Sequence, residues 1–439
     1  MKISIKLAVI ACSIVTLLSL GWQHWRSSKS EPLPPQITVA GTSNILRGQY
    51  YAASIPPTSI DSYQSADFRL WIPANIPTLR GLIIKQHGCG DDAAATALAH
   101  ANDLQWQALA LKHQFALLGT KFLTGKQPCE SWALTNYGSG SALIKALELL
   151  GTQSKHLELN RVPWALWGHS GGADWIIQLL QQYPDRTIAA IAARGGGFTL
   201  LGTNPTLANI PVLFALGAKD KVLVNETQTL PTQAFQRYRK LAAPWTLAVE
   251  ANTGHETNDT RMLAIPYLDA ILTQRLPLDG KDLRPIDRSQ GWLGNIVTYK
   301  ITPANQFEGN QLESSWLPNE ETARKWHEYV TTGRIYPTQK PTVPNEVKAT
   351  IVEQKKVLLT WNFKPDLENG LPSFRIYRNN SLLATLQGQS HNFGDVTNIP
   401  NVELKFRDEA AAISNTYSIA AFNTLGESRS NPIKPIQNE

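Results

Sequence analysis

The chain has 439 residues, enough for two or three domains, and its 42% hydrophobic and 17% charged content excludes a disordered protein. A formal charge of +6 without long Lys/Arg blocks, a basic helix or a base-stacking motif argues against nucleic acid as a partner. The 13 tryptophans are many for this length and serve either core packing or aromatic platforms for a flat or polymeric substrate.

Met1–Gly21 reads as an export segment. Lys2 and Lys6 precede an apolar run from Leu7 to Leu20, which is short for a spanning helix, and Ser19-Leu20-Gly21 offers small residues for cleavage. An uncleaved N-terminal anchor is the alternative, and the only membrane association expected. Cleavage leaves two cysteines, Cys89 and Cys129. In an oxidising compartment a disulfide between them is expected; two free buried thiols are the alternative. Residues 22–57 are polar, with Glu31-Pro32-Leu33-Pro34-Pro35, and read as a tether.

Strands are expected at Phe68–Ile72 and Gly81–Gln86, the latter running into His87-Gly88-Cys89-Gly90. A helix at Asp103–His113, a strand at Phe115–Gly119 and an amphipathic helix at Gly140–Leu150 follow. The apolar run Val162–Trp167 then meets Gly168-His169-Ser170-Gly171-Gly172, and a helix leads out through Trp175, Ile176, Leu179 and Leu180. Strands at Ile188–Ala193, Val212–Gly217 and Thr246–Glu250 alternate with helices at Gln228–Leu241 and Arg261–Gln274. Such alternation implies a largely parallel sheet with helices on both faces. Residues 277–337 are irregular and aromatic, 338–345 form a Pro-rich linker, and from 346 to 439 the period switches to two. Val357–Trp361, Phe374–Arg378 and Tyr417–Phe422 are strands of a small β-sandwich.

The glycine-flanked Ser170 has the G-x-S-x-G spacing of a nucleophile elbow. Its backbone must turn sharply from strand to helix, so residues two positions either side can carry no side chain. A serine hydroxyl needs a base to take its proton, and the base needs a carboxylate to hold its tautomer. His255 follows the last strand of the sheet, and Asp220 follows the strand before it, with Glu226 as the substitute acid. The oxyanion needs two N–H donors. Gly171 offers one and the backbone of Gly88 and Cys89 the other. His87 is expected to hold that loop, and His169 to pack beside the elbow. No metal-ligand spacing and no phosphate-binding loop appears, so neither metal nor cofactor is expected.

The order Ser, Asp, His and the loop at His87 resemble the α/β-hydrolase superfamily over roughly 65–274. Within it, His87-Gly88-Cys89-Gly90-Asp91-Asp92 and Cys129-Glu130-Ser131-Trp132 look like the secreted polyhydroxybutyrate-depolymerase and feruloyl-esterase type. The C-terminal part is similar to a fibronectin type III module, which such hydrolases use as a spacer. The resemblance implies a catalytic domain at 58–276, an extension packed on it at 277–337 and the sandwich beyond the linker. It implies an exported serine esterase whose substrate is an ester, bulky, polymeric, cell-wall or plant-type. A serine peptidase on the same fold, or a non-catalytic adhesion protein using the sandwich, are the rivals. Between Ala193 and Val212 the chain is too short for a lid domain, so an open site is expected.

Overall fold

Short apolar runs closed by glycines and polar turns build one eight-stranded sheet in the computed structural model, which describes residues 46–437 except 126–127, 201, 278–282, 354–355 and 399–402. The strands are β1 (Gly48–Ile55), β2 (Ser65–Pro73), β3 (Gly81–Gln86), β4 (Phe115–Leu123), β5 (Trp164–His169), β6 (Thr187–Ala193), β7 (Val212–Gly217) and β8 (Trp245–Glu250). Their order is β1-β2-β4-β3-β5-β6-β7-β8. β1, β2 and β4 pair antiparallel, and β4 through β8 run parallel. The helices are α1 (Asp91–Thr96), α2 (Leu104–His113), α3 (Glu130–Ala133), α4 (Ser139–Ser154), α5 (Gly171–Gln182), α6 (Leu230–Arg239), α7 (Thr260–Arg275) and α8 (Glu320–Thr332). This mixed, mostly parallel architecture fits the expected α/β-hydrolase fold class.

The two-residue period of a strand divides the core. On β5, Trp164 and Leu166 join the apolar layer under α4, α5 and α6, while Ala165 and Trp167 join the layer under α2, α7 and α8. Both faces are covered, which is why β5 reads as an unbroken apolar run. Eight tryptophans (71, 106, 164, 167, 175, 245, 316 and 326) are fully buried, so their main use is packing rather than substrate platforms.

The segment 48–55, expected within the tether, is instead the edge strand β1, in register with β2 from Gly48↔Pro73 to Ile55↔Ala66. The expected export segment at 1–21 and the tether up to 45 lie outside the described residues. Among the described residues no helix is long and apolar enough to cross a membrane. A three-stranded sheet (Ile301–Pro303, Trp292–Asn295, Ser314–Leu317) and α8 cover the free edge of β8. Ser315 Oγ accepts from Leu247 N–H at 2.9 Å, and Trp326 Nε1–H donates to Leu247 O at 2.9 Å. The edge is thereby closed to pairing with other chains.

Two four-stranded sheets form the C-terminal part: Lys405–Asp408, Lys356–Asn362, Asn345–Glu353, Ile436–Gln437 in one, and Ser381–Leu386, Ser373–Arg378, Tyr417–Asn423, Gly426–Arg429 in the other. The stretch 338–345 does not behave as a free linker. Thr338 Oγ1 and Gln339 N–H both donate to Glu368, each at 3.1 Å, and Glu368 pairs with Lys325 of α8 at 3.0 Å. Trp361, Phe374, Ile376 and Tyr417 of the sandwich belong to the same continuous apolar layer as α2, α7 and α8.

A buried group of four charges crosses this junction. Lys85 Nζ of β3 donates to Asp395 Oδ2 at 2.7 Å, and Arg261 Nε of α7 to Asp395 Oδ1 at 2.6 Å. Arg261 also reaches Asp103 Oδ2 at 2.7 Å, and Asp103 caps α2 by accepting from Gln105 and Trp106 N–H. The indoles of Trp106 and Trp167 lie 4.4 and 4.6 Å from Lys85 Nζ. Burial pulls Lys85 below its ordinary pKa, with Asp395 and Asp103 opposing. Burial opposes the Asp395 charge too, but Arg261 and Lys85 hold its carboxyl below the usual range. Two cations and two anions balance, so removing one strands a buried charge. Asp395→Ala is expected to destabilise the protein by about 3–5 kcal/mol in urea unfolding. A loss under about 1 kcal/mol would show the charges are not acting as a unit.

Candidate active site

β5 ends at His169, and Ser170 turns into α5 with φ 55° and ψ −124°. A non-glycine residue rarely adopts this conformation, and it costs on the order of 1–3 kcal/mol. The flanking glycines make it sterically possible. A Cβ on Gly168 would strike the Gly172 backbone, and one on Gly172 would strike the carbonyls of Gln86 and His87. Ser170 N–H donates to Ala193 O at 2.8 Å, which ties the turn to β6. Gly171 opens α5, where helical N–H groups have no intrahelical partner.

The turns after β7 and β8 bring the other two residues to the serine. His255 Nε2 lies 2.9 Å from Ser170 Oγ, and His255 Nδ1 lies 2.7 Å from Asp220 Oδ2. An ionised carboxylate only accepts, so Nδ1 carries the proton and Nε2 is free to accept from the serine hydroxyl. Asp220 is buried, and its Oδ1 accepts from Val222 N–H at 2.9 Å. Glu226, the expected substitute, sits on the turn at 225–229, while the carboxylate on His255 belongs to Asp220.

The loop after β3 stands against the elbow. A Cβ on Gly88 would come within 3.2 Å of Ser170 Cβ. Cys89 and Cys129 form a disulfide with Cα atoms 5.5 Å apart, and its two sulfurs crowd Gly171 so closely that no side chain fits there. Gly171, Gly88 and Cys89 thus gather around Ser170. His87 holds the loop from beneath. Its Nδ1–H donates to Gly88 O at 2.6 Å, and its Nε2 accepts from Phe122 N–H at 3.0 Å. Burial lowers the His87 pKa to about 4, so the ring is neutral at pH 7.

Several supporting residues carry no local sequence signal for their role. His169 Nε2 donates to His255 O at 2.9 Å, and burial takes its pKa down to about 3. Arg194, fully buried after β6, donates through Nε to Gly254 O at 3.1 Å and Glu256 O at 3.0 Å, the carbonyls on either side of His255. Arg194 is itself held by Glu250 and by Tyr329 of α8. The rim of the cleft was not expected either. A cavity of about 340 Å³ is lined by His87, Gly88, Cys89, Asp92, Ala93, His169, Ser170 and His255, and by Asn392, Phe393, Gly394 and Val396 from the C-terminal sandwich. Among the described residues none from the extension lines it.

Neither a protein-family model nor a curated protein matches the sequence. Solved structures resemble it over about half its length. A cold-adapted esterase from an Arctic intertidal metagenomic library is 18% identical with a TM-score of 0.36, covering 54% of this chain and 98% of that one. The poly(3-hydroxybutyrate) depolymerase LpqC from Bordetella parapertussis is 16% identical with a TM-score of 0.33, covering 54% of this chain and 91% of that one. An S-formylglutathione hydrolase from Agrobacterium tumefaciens is 15% identical with a TM-score of 0.37, covering 55% of this chain and 98% of that one. At such identities and scores the likeness carries no functional argument, and the site must be judged by its own geometry.

The depressed histidines make stability pH-dependent. His87 titrates near 6.5 when unfolded and near 4 when folded, so between these values the unfolded chain holds more protons. Stability therefore falls as pH drops through that window, by about 1.4 kcal/mol per pH unit for one such group. His87→Gln is expected to flatten the slope of urea-unfolding stability between pH 6.5 and 4.5 by about that share. An unaltered slope would show that His87 is not a proton acceptor on unfolding.

Proposed function

We propose that the protein is an exported serine hydrolase of carboxylic esters. One observation carries the reading: Asp220, His255 and Ser170 form an unbroken hydrogen-bonded chain at 2.7 and 2.9 Å, with the Gly88/Cys89 loop against the serine. Ser170 Oγ attacks the carbonyl carbon while His255 Nε2 takes its proton. The imidazolium is stabilised by Asp220, and the oxyanion is held by Gly171 N–H and the Gly88/Cys89 backbone. As the tetrahedral intermediate collapses, His255 returns the proton to the leaving alkoxy oxygen. The alcohol departs and the acyl group stays on Ser170. Water then attacks the ester carbonyl, giving its proton to His255, and the acid leaves as Ser170 is reprotonated. Every proton and charge in this sequence has a residue to hold it, so the mechanism calls on no cofactor or metal.

Export is supported by the apolar N-terminal run and by the Cys89–Cys129 disulfide, which persists in an oxidising compartment. A bulky or polymeric ester, of cell-wall or plant type among others, is supported by the cleft's form. Ser170 is partly accessible, and among the described residues only a short helical turn at Pro205–Asn209 stands between β6 and β7, where a lid would be inserted. A cleft of about 340 Å³ admits the groups around one scissile bond, leaving the rest of a polymer outside.

Ser170→Ala is expected to lower kcat for p-nitrophenyl acetate by at least about 10⁴-fold and to abolish labelling by a fluorophosphonate, and Asp220→Asn to lower kcat by about 10⁴-fold with labelling slowed. Wild-type-like hydrolysis by Ser170→Ala would end the proposal. A parallel panel of peptides separates esterase from peptidase, the ester reading requiring the larger kcat/KM on esters.

A further inference from the structure

We infer that Phe393, carried by the C-terminal sandwich, is a specificity-determining residue that forms the wall for the alcohol part of the ester. The inference rests on the ester-hydrolase reading of Ser170, and it adds which half of the substrate meets which part of the chain.

The loop 391–397 is held in one shape at both ends. Asn392 Oδ1 accepts from Gly394 and Val396 N–H, each at 3.0 Å, and Asn392 Nδ2 donates to Thr96 Oγ1 at 3.1 Å. His391 Nε2 and Thr397 Oγ1, bridged as strand neighbours, each lie 3.0 Å from Asp103 Oδ2. Asp395, at the centre, is buried between Lys85 and Arg261 and takes φ 62°. A left-handed backbone at aspartate costs about 1–2 kcal/mol, so the loop is kept in this form by its partners rather than by its own preference.

That shape delivers Phe393 to the histidine. Phe393 O accepts from Thr257 N–H at 2.9 Å and from Thr257 Oγ1 at 3.0 Å, two residues past His255. The Phe393 ring centroid lies 6.0 Å from that of His255 and 5.6 Å from that of His169. Phe393 is nevertheless 56% exposed, and it lines the cleft. A large apolar side chain that lines the cleft, with its own carbonyl fastened beside the histidine, is placed to meet a substrate.

The chemistry says which part of a substrate comes there. His255 Nε2 must hand its proton to the leaving oxygen, so the alcohol group lies against the imidazole. Phe393 is the cleft residue whose ring packs on that imidazole, whereas Asp92 and Ala93 follow the Gly88/Cys89 loop along the chain. An aryl or other flat apolar alcohol can stack or edge-pack on Phe393, and a small alkyl alcohol gains little.

The test compares two substrate series on the full chain. In one the acyl group stays acetyl and the alcohol varies: ethyl, benzyl and phenyl acetate. In the other the alcohol stays p-nitrophenol and the acyl group varies from acetate to hexanoate. Taking variant-to-wild-type ratios cancels the intrinsic reactivity of each ester. Phe393→Ala is expected to lower kcat/KM for phenyl and benzyl acetate about 3- to 10-fold relative to ethyl acetate, mainly through KM. The hexanoate-to-acetate ratio should stay as in wild type. Phe393→Tyr should retain the aryl preference, and Phe393→Leu should lose most of it. The side chain is exposed, so thermal unfolding of the variants should match wild type. Equal loss across the alcohol series, a change confined to the acyl series, or no change in an active enzyme overturns the inference alone. A wild-type protein that neither hydrolyses these esters nor labels at Ser170 overturns the ester reading, and this inference with it.

Discussion

Four buried charges, Lys85, Arg261, Asp103 and Asp395, tie together the pieces on which the site depends. Lys85 belongs to the strand that becomes the Gly88/Cys89 loop. Arg261 belongs to the helix that begins just after His255. Asp395 belongs to the loop that carries Phe393. Buried ion pairs add little net stability, because desolvation consumes most of the attraction. Their effect here is on arrangement. With Arg261 bridging both anions and Lys85 held on Asp395, a shift of any one segment would leave a charge unpaired in the interior, and alternative placements of these three segments are heavily penalised.

A second buried group works on the same histidine from the other side. Arg194 grips the carbonyls of Gly254 and Glu256, and is itself gripped by Glu250 at the end of β8 and by Tyr329 of α8. Tyr329 also meets Thr260 Oγ1 at 2.8 Å, at the first residue of α7. His169 adds a third hold through the His255 carbonyl. The imidazole is thus fixed through its own backbone, which leaves both ring nitrogens for Asp220 and Ser170. This explains how a segment far along the chain, 277–337, bears on the site although none of its described residues lines it: α8 supplies the phenol that holds Arg194.

Much of this was legible in the residues, and what was not has a common physical cause. Strands β3 to β8 announce themselves as short apolar runs because both faces are buried, and the elbow announces itself because only glycine fits beside Ser170. Asp220 and His255 could be named because each follows a strand in the right order. β1 escaped notice because most of it is half-exposed and has no clean alternation. The partners of Arg194, Lys85 and Asp395 escaped because a polar contact leaves no periodic trace. Lys85 and Asp395 meet across a separation of 310 residues, and nothing around either one indicates the other. The tryptophans illustrate the converse. Their number left core packing and a surface function both open, because residue counts do not tell inside from outside, and Trp106 and Trp167 serve as an apolar, electron-rich floor beneath Lys85.

The same contacts decide between two pictures of the C-terminal sandwich. A spacer needs a linker that can swing and a core that closes on itself. Here the linker is fastened through Glu368 to Lys325, and the sandwich core continues into the layer under α2, α7 and α8. Separating the two parts would expose that layer and strand Lys85 and Arg261 without Asp395. An arrangement so costly to open cannot serve as a flexible arm. It suits a domain whose contribution is local: a stiff loop set against the histidine, aimed by charges that hold it to the same strand and helix that frame the serine.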